Sequence, residues 1–261
     1  MIETKSPIFI VLTMMLLLIF SISLFVIFRK KFKINFIPIL VGFIMFILFV
    51  LILEPIFHQL ILRPTPDGNI VMKSNHPILY MFYGAFAAGI FEEVSRYIGL
   101  TLLKKRYPEQ KTSIAYGFGH GFSELFFLGF TSLISNLVLM ISVNQGNTEI
   151  IDNLPTKMIN TLINTPSSQY LLIFIERAPV MIIQILLTII VWYGIKHSNT
   201  KKILPLAIII HASIDLIAGA YQVGYIQNMI LLYVLIYLAT FILFIFTKNF
   251  FWSRDTSTKH F

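Results

Sequence analysis

The stretch PIFIVLTMMLLLIFSISLFVIF, Pro7 to Phe28, runs for 22 residues without a charged side chain, and Ile226 to Thr247 does the same near the other end. A helix needs about 20 apolar residues to cover the hydrocarbon core of a bilayer. In lipid such a run must be helical, because only the i to i−4 ladder satisfies its backbone internally. The rest of the chain agrees. Of its 261 residues 57% are hydrophobic and 12% charged, where an average soluble domain carries about 25% charged. Mean hydropathy is +0.81. A water-soluble globule is excluded, and the chain reads as an all-α, polytopic membrane helix bundle.

Working outward from the two runs, hydropathy places seven spans at 7–28, 35–57, 78–103, 112–142, 170–195, 203–221 and 226–247. They make one integral membrane domain over 1–261. Its functional core is expected at about 78–221, with 7–28, 35–57 and 226–247 peripheral. Fourteen of the 20 basic residues, among them Arg29, Lys30, Lys31, Lys104 and Lys202, fall on one side of the spans. Lys5, Arg63, Lys73 and Lys157 fall on the other, and Arg96 and Arg177 inside. The positive-inside rule then makes this a multi-pass cell-membrane protein with the N-terminus outside and the C-terminus in the cytoplasm. Clusters of this kind are topology signals, so the net charge of +8 does not point to nucleic acid. Glu3 and Lys5 at its start, and no small-residue cleavage site after it, make the first run a span and not a cleaved signal. The chain has no cysteine, which removes disulfides, thiolate nucleophiles and cysteine metal sites together.

Between spans, His58–His76 reads as a turn-rich loop with Pro64, Pro66, Asp67 and Gly68. In Val143–Gln169, apolar residues recur at near-helical spacing from Ile150 to Ile163, the pattern of a short amphipathic helix on the membrane surface or packed on the bundle. Glu54, just before Pro55, is expected at an outer helix end, in water.

The informative residues are those a membrane interior disfavours. Charged side chains there cost several kcal/mol and are paired or functional. The third span holds Glu92, Glu93 and Arg96; the fourth holds Gly119, His120, Gly121 and Glu124; the sixth holds His211 and Asp215. At about 1.5 Å per residue, Glu92 lies roughly 16 Å from the basic end of its span. His120 and His211 lie roughly 12 Å from theirs, and Glu124 and Asp215 roughly 18 Å. Glu92/Arg96, His120/Glu124 and His211/Asp215 are each four apart, so each pair shares a helix face. Convergence on one buried polar site follows. A carboxylate in a dry pocket suits general-base work. Arg96 can hold one of the two adjacent carboxylates charged. The histidines can bind a metal, donate to an oxyanion or orient water, with Asp215 and Glu124 placed to fix the ring tautomers. Taken singly, each motif has a structural reading as an ion pair or interhelical hydrogen bond; the common depth of all three favours a site. Glu176-Arg177, in the fifth span without a histidine, reads as a structural pair.

At these residues the sequence resembles the multi-spanning intramembrane proteases, a group that includes CAAX prenyl endopeptidases, their bacteriocin-processing and immunity relatives, and PrsW-type proteases. It is most similar to the YhfC family, in Glu92-Glu93-x-x-Arg96, Gly119-His120-Gly121-x-x-Glu124 and His211-x-x-x-Asp215, over about Met81 to Gly219. The CAAX enzymes put three residues between the Glu pair and the Arg; here Val94 and Ser95 are two. Prenylated substrates are therefore not expected. The resemblance implies that Glu92 activates the hydrolytic water while Glu93 and Arg96 tune and hold it. His120 and His211 would bind the water or the oxyanion, and Asp215 would orient or assist. It leaves a zinc ion open: His120, His211, Glu92 and Glu124 are the candidate ligands, and a metal-free glutamate mechanism is equally writable.

The expectation is an endopeptidase that cleaves a membrane-associated protein or peptide through a water-filled cavity open to the cytoplasm, without nucleic acid as partner. Two rivals stand beside it. One is a non-catalytic scaffold or immunity protein, since the gamma-secretase scaffold subunit resembles this wider group. The other is a cation- or proton-coupled transporter, against which stands the lack of an inverted repeat and of paired broken helices.

Overall fold

The computed structural model describes residues 5–65, 68–146 and 156–252, and every regular element among them is helical. In chain order these are α1 (Ser6–Phe32), α2 (Phe36–Leu62), α3 (Val71–Asn75), α4 (Pro77–Leu103) and α5 (Lys111–Asn144). Then come α6 (Thr156–Asn164), α7 (Gln169–Lys196), α8 (Thr200–Gln222) and α9 (Met229–Thr247), the last extended by a π-helical turn at Lys248–Trp252. The seven long helices stand at the seven expected spans, with ends that agree to a few residues except at α2. Six are long and apolar enough to cross a bilayer. The seventh, α4, matches α1 and α2 at 27 residues and carries Glu92, Glu93 and Arg96 within it. Large apolar side chains such as Ile8, Ile19, Leu102, Ile230 and Phe241 face outward, a surface that lipid covers and water would not tolerate. This is a multi-pass membrane protein.

The chain forms two compact units: Met1–Ile27 with Glu124–Ala178, and Phe28–Ser123 with Pro179–Phe261. Helices α1, α5 and α7 run through both. In the first unit α1 lies along the start of α7: Ser6 and Ser167 share a hydrogen bond of 2.9 Å, Thr13 donates to the Tyr170 carbonyl at 3.0 Å, and Phe20 meets Phe174 edge-on. Helix α6 is the second half of the expected amphipathic stretch, with Leu162 buried and Ile163 exposed. Ile150, Ile151 and Leu154 lie outside the described residues, as do Glu3, Pro66, Asp67, Arg254 and Lys259.

The second unit is built round α7, in which every residue from Ile183 to Trp192 is buried. Against it pack Met45 of α2, Leu100 of α4, Tyr116 of α5, Ile203 of α8 and Leu243 of α9. A helix covered on all sides needs no polar face, which is why this run is apolar apart from Gln184 and Thr188.

One expectation fails in α2. Glu54 is not at a helix end in water: the helix continues to Leu62, and Glu54 is buried with its carboxylate 3.2 Å from His58 Nε2. Pro55 lacks a backbone N–H and would normally end the helix. Here a π-helical stretch, Ile47–Leu53, precedes it and rearranges the carbonyls the proline cannot serve. The expected loop thus shortens to residues 63–70, followed by α3.

Candidate active site

Glycines set how closely the helices of the second unit approach. A Cβ on Gly119 would run into the backbone carbonyl of Ile39, and one on Gly117 would come within 2.8 Å of the Ile185 Cα. Helix α5 is therefore pressed between α2 and α7 at the turn that carries His120. On α4, a Cβ at Gly89 would stand 3.1 Å from the Ile208 carbonyl oxygen of α8. Such small residues let backbones approach in a membrane, where packing takes the place of the hydrophobic drive. Measured from the helix ends on the basic side, Leu103, Lys111 and Thr200, the side chains of Glu92, His120 and His211 start about 14–17 Å in. The common depth read from the sequence holds.

At that depth the polar side chains meet. Glu92 Oε2 accepts from His120 Nε2 at 3.0 Å and from Gln184 Nε2 at 2.9 Å. Its other oxygen stands 3.8 Å from His211 Nε2. Glu93 Oε1 accepts from His211 Nδ1 at 2.7 Å and is ion-paired with Arg96 Nη1. Arg96 also donates to Gln184 Oε1 and lies 3.8 Å from Glu92. Asp215 Oδ2 is 3.4 Å from His211 Nε2. Glu93, Arg96 and His120 are fully buried, Glu92 and His211 nearly so, while Asp215 is about one third exposed at 35%. Phe46 closes edge-on over the His120 ring at 5.1 Å, and Tyr116 donates to the Ser95 carbonyl one turn along α4.

The two carboxylates are thereby distinguished. Glu93 is held by a guanidinium and an imidazole; Glu92 lies between two imidazoles and an amide. The proton on His211 Nδ1 points at Glu93, so the His211 ring is held by Glu93 at Nδ1 in addition to the expected Asp215, which lies 3.4 Å from Nε2. His120 gives its Nε2–H to Glu92 and leaves Nδ1 buried without a hydrogen-bond partner among the described residues, which in the neutral ring is a bare lone pair.

Gln184 escaped the sequence reading. It carries no charge, and hydropathy does not flag one amide in an apolar run. The available signal was its rarity: among the buried residues 183–192 of α7 only Gln184 and Thr188 are polar. In the first unit, Arg177 donates to Glu176 at 2.5 Å and to Glu124 at 3.2 Å. The Glu176-Arg177 pair is present as read, with Glu124 as a further partner from α5.

A cavity of about 480 Å³ in the second unit reaches Asp215, with His58, Tyr83, Ala88 and Gln222 among its lining. It is bordered by the connection after α2 and by the ends of α4 and α8 remote from the basic clusters. The expected opening was at the basic end. The observed concavity lies opposite, where small residues such as Gly84, Ala85 and Gly219 leave room between α4 and α8.

The zinc ion left open by the resemblance finds donors of the right kind, two imidazoles and several carboxylates. Three carboxylates against one guanidinium also leave the cluster short of positive charge, the balance a bound cation supplies. Among the described residues, however, no three His, Asp or Glu side chains form a group already converged on one point. The His120–Glu92 hydrogen bond occupies the atoms an ion would take.

With this geometry in view, comparison with known proteins is direct. The description of YhfC intramembrane metalloproteases matches residues 13–236, so the likeness extends well beyond Met81–Gly219 into the first and last spans. The "Uncharacterized membrane protein YhfC" of Bacillus subtilis (strain 168) is 30% identical over 234 residues, covering 87% of this chain and 90% of that one. No solved structure matches. A bundle of seven long helices with this buried Glu–His–Arg–Gln cluster, matched over most of its length, belongs to the YhfC intramembrane metalloprotease family.

Proposed function

We propose that the protein is an intramembrane endopeptidase in which Glu92 activates water for attack on a peptide carbonyl of a membrane-associated substrate. The observation that carries this reading is the asymmetry of the two buried carboxylates. Glu93 is ion-paired with Arg96 and bonded to His211, while Glu92 is flanked by His120 at 3.0 Å and His211 at 3.8 Å. Glu92 takes a proton from the water as the new C–O bond forms, and later delivers it to the leaving amine as the C–N bond breaks. In its doubly protonated form His211, held at Nδ1 by Glu93, presents Nε2–H beside Glu92 and Asp215, where it stabilises the charge of the tetrahedral oxygen, most effectively where water is scarce. Glu93 and Arg96 hold His211 in register, and Gln184 fixes the Glu92 carboxylate while linking it to Arg96. Asp215 assists from the cavity side of His211.

The family name implies a metal. His120, His211 and Glu92 are the residues that would hold it, and a bound ion would polarise the carbonyl and acidify the water. No step above requires it.

The test compares membrane-protein termini between cells carrying wild type and cells carrying Glu92→Gln at matched expression. Glutamine keeps the hydrogen bonds and removes the base. Termini present only with wild type are expected; identical profiles, under conditions where the wild-type protein has a phenotype, would leave the scaffold reading standing.

A further inference from the structure

Two helix faces lead from the cavity mouth to the reactive side chains. On α4, Met81, Ala85 and Ala88 line the cavity and Glu92 follows Ala88 by four residues; on α8, Gln222, Ala218 and Asp215 line it and His211 precedes Asp215 by four. Residues three, four and seven apart share a helix face. The lined faces thus run about 10–12 Å inward from Tyr80 and Gln222, and one further turn of about 6 Å reaches Glu92 and His211. The inner walls are Gly, Ala and Asp, which leaves width for a backbone and not for bulky side chains. The outer wall mixes apolar Leu62, Pro64 and Ile70 with a few polar side chains: His58 Nδ1 meets the Tyr83 hydroxyl at 2.8 Å, and His58 Nε2 meets the buried Glu54 carboxylate at 3.2 Å. A volume of about 480 Å³ lies within the roughly 300–1,000 Å³ of binding pockets.

We infer that this cavity is the substrate channel, and that an extended polypeptide segment reaches Glu92 through it from the membrane face opposite the basic clusters. Under the positive-inside orientation that face is extracytoplasmic. The inference rests on the peptidase reading for its cargo; the side of access does not depend on it.

The natural absence of cysteine makes the test clean. Ala218→Cys is placed in the cavity, Asn69→Cys in the connection after α2, and Lys105→Cys in the basic connection between α4 and α5. Each is treated with a membrane-impermeant maleimide in intact cells and in inverted vesicles. Ala218→Cys is expected to react from the same side as Asn69→Cys and opposite to Lys105→Cys. Reaction from the Lys105 side, or from neither while both references react, overturns the channel. Substrate passage is read on the folded, labelled protein. A bulky maleimide on Ala218→Cys should reduce wild-type termini to the level of Glu92→Gln, while labelled Asn69→Cys retains them. Undiminished termini after full labelling of Ala218→Cys overturn it. If Glu92→Gln itself changes no termini, the peptidase reading and the polypeptide cargo fall together, and the labelling pattern alone decides whether the cavity opens on that face.

Discussion

The pairing of Glu93 with Arg96 yields the sharpest quantitative prediction. Both side chains are fully buried. Arg96→Met would leave the Glu93 carboxylate with His211 Nδ1 as its remaining hydrogen-bond donor, and Gln184 Oε1 without the guanidinium. Breaking a buried ion pair from one side costs about 3–5 kcal/mol. For a chain near this size each kcal/mol shifts the melting midpoint by roughly 2–4 °C, so the midpoint should fall by about 6–20 °C. Glu93→Gln alone strands the arginine instead. The double variant Glu93→Gln/Arg96→Met removes both charges and should lose less than the sum of the single losses, with a coupling of about 0.5–3 kcal/mol. Loss of helicity on heating, in one detergent at one scan rate, reads all four proteins. If the single losses add to the double within about 0.5 kcal/mol, the two residues are not coupled and the account of the held carboxylate is wrong.

Two further variants probe the surroundings of the site. Gln184→Leu removes a donor to Glu92 and an acceptor from Arg96; it should cost about 1–3 kcal/mol in the same melt and lower processing, because Glu92 then keeps the His120 hydrogen bond and only the longer approaches of His211 and Arg96. Wild-type stability would show that the amide is idle. Gly119→Ala should destabilise by about 1–3 kcal/mol, since the obstruction is the Ile39 backbone. Gly84→Ala, with no atom within 4 Å of the new carbon, should stay within about 0.5 kcal/mol of wild type; equal losses for the two would refute the packing account.

How much was legible in advance divides along physical lines. Hydropathy is a local property and the bilayer thickness is constant, so the seven long helices could be placed to a few residues, the end of α2 excepted, from the hydropathy pattern alone. The regular rise of a helix then converted residue number into depth, and the rarity of charge in lipid marked Glu92, Glu93, Arg96, His120, Glu124, His211 and Asp215 as residues that had to find one another; Glu124 pairs with Arg177 and not with the histidines. Glu54 was misread because the rule that proline ends a helix is also local. The π-helical stretch that lets α2 continue, and the His58 that receives Glu54, lie beyond that rule.

What the sequence left undecided depends on which neighbour faces which side chain. Glu92 and Glu93 are adjacent and chemically alike, yet successive helical residues point about 100° apart. Only the placement of α4 among α5, α7 and α8 commits Glu93 to Arg96 and His211 and leaves Glu92 between the two imidazoles. Gln184 was invisible for the same reason: an amide declares its role through its partners, not its hydropathy. The side on which the cavity opens follows from the gap between two small-residue helix faces, which hydropathy and charge count do not encode. The sequence by itself determined that this chain is a membrane bundle with one buried polar level; the tertiary packing decided which carboxylate at that level is held by Arg96 and His211 and which lies between the two imidazoles.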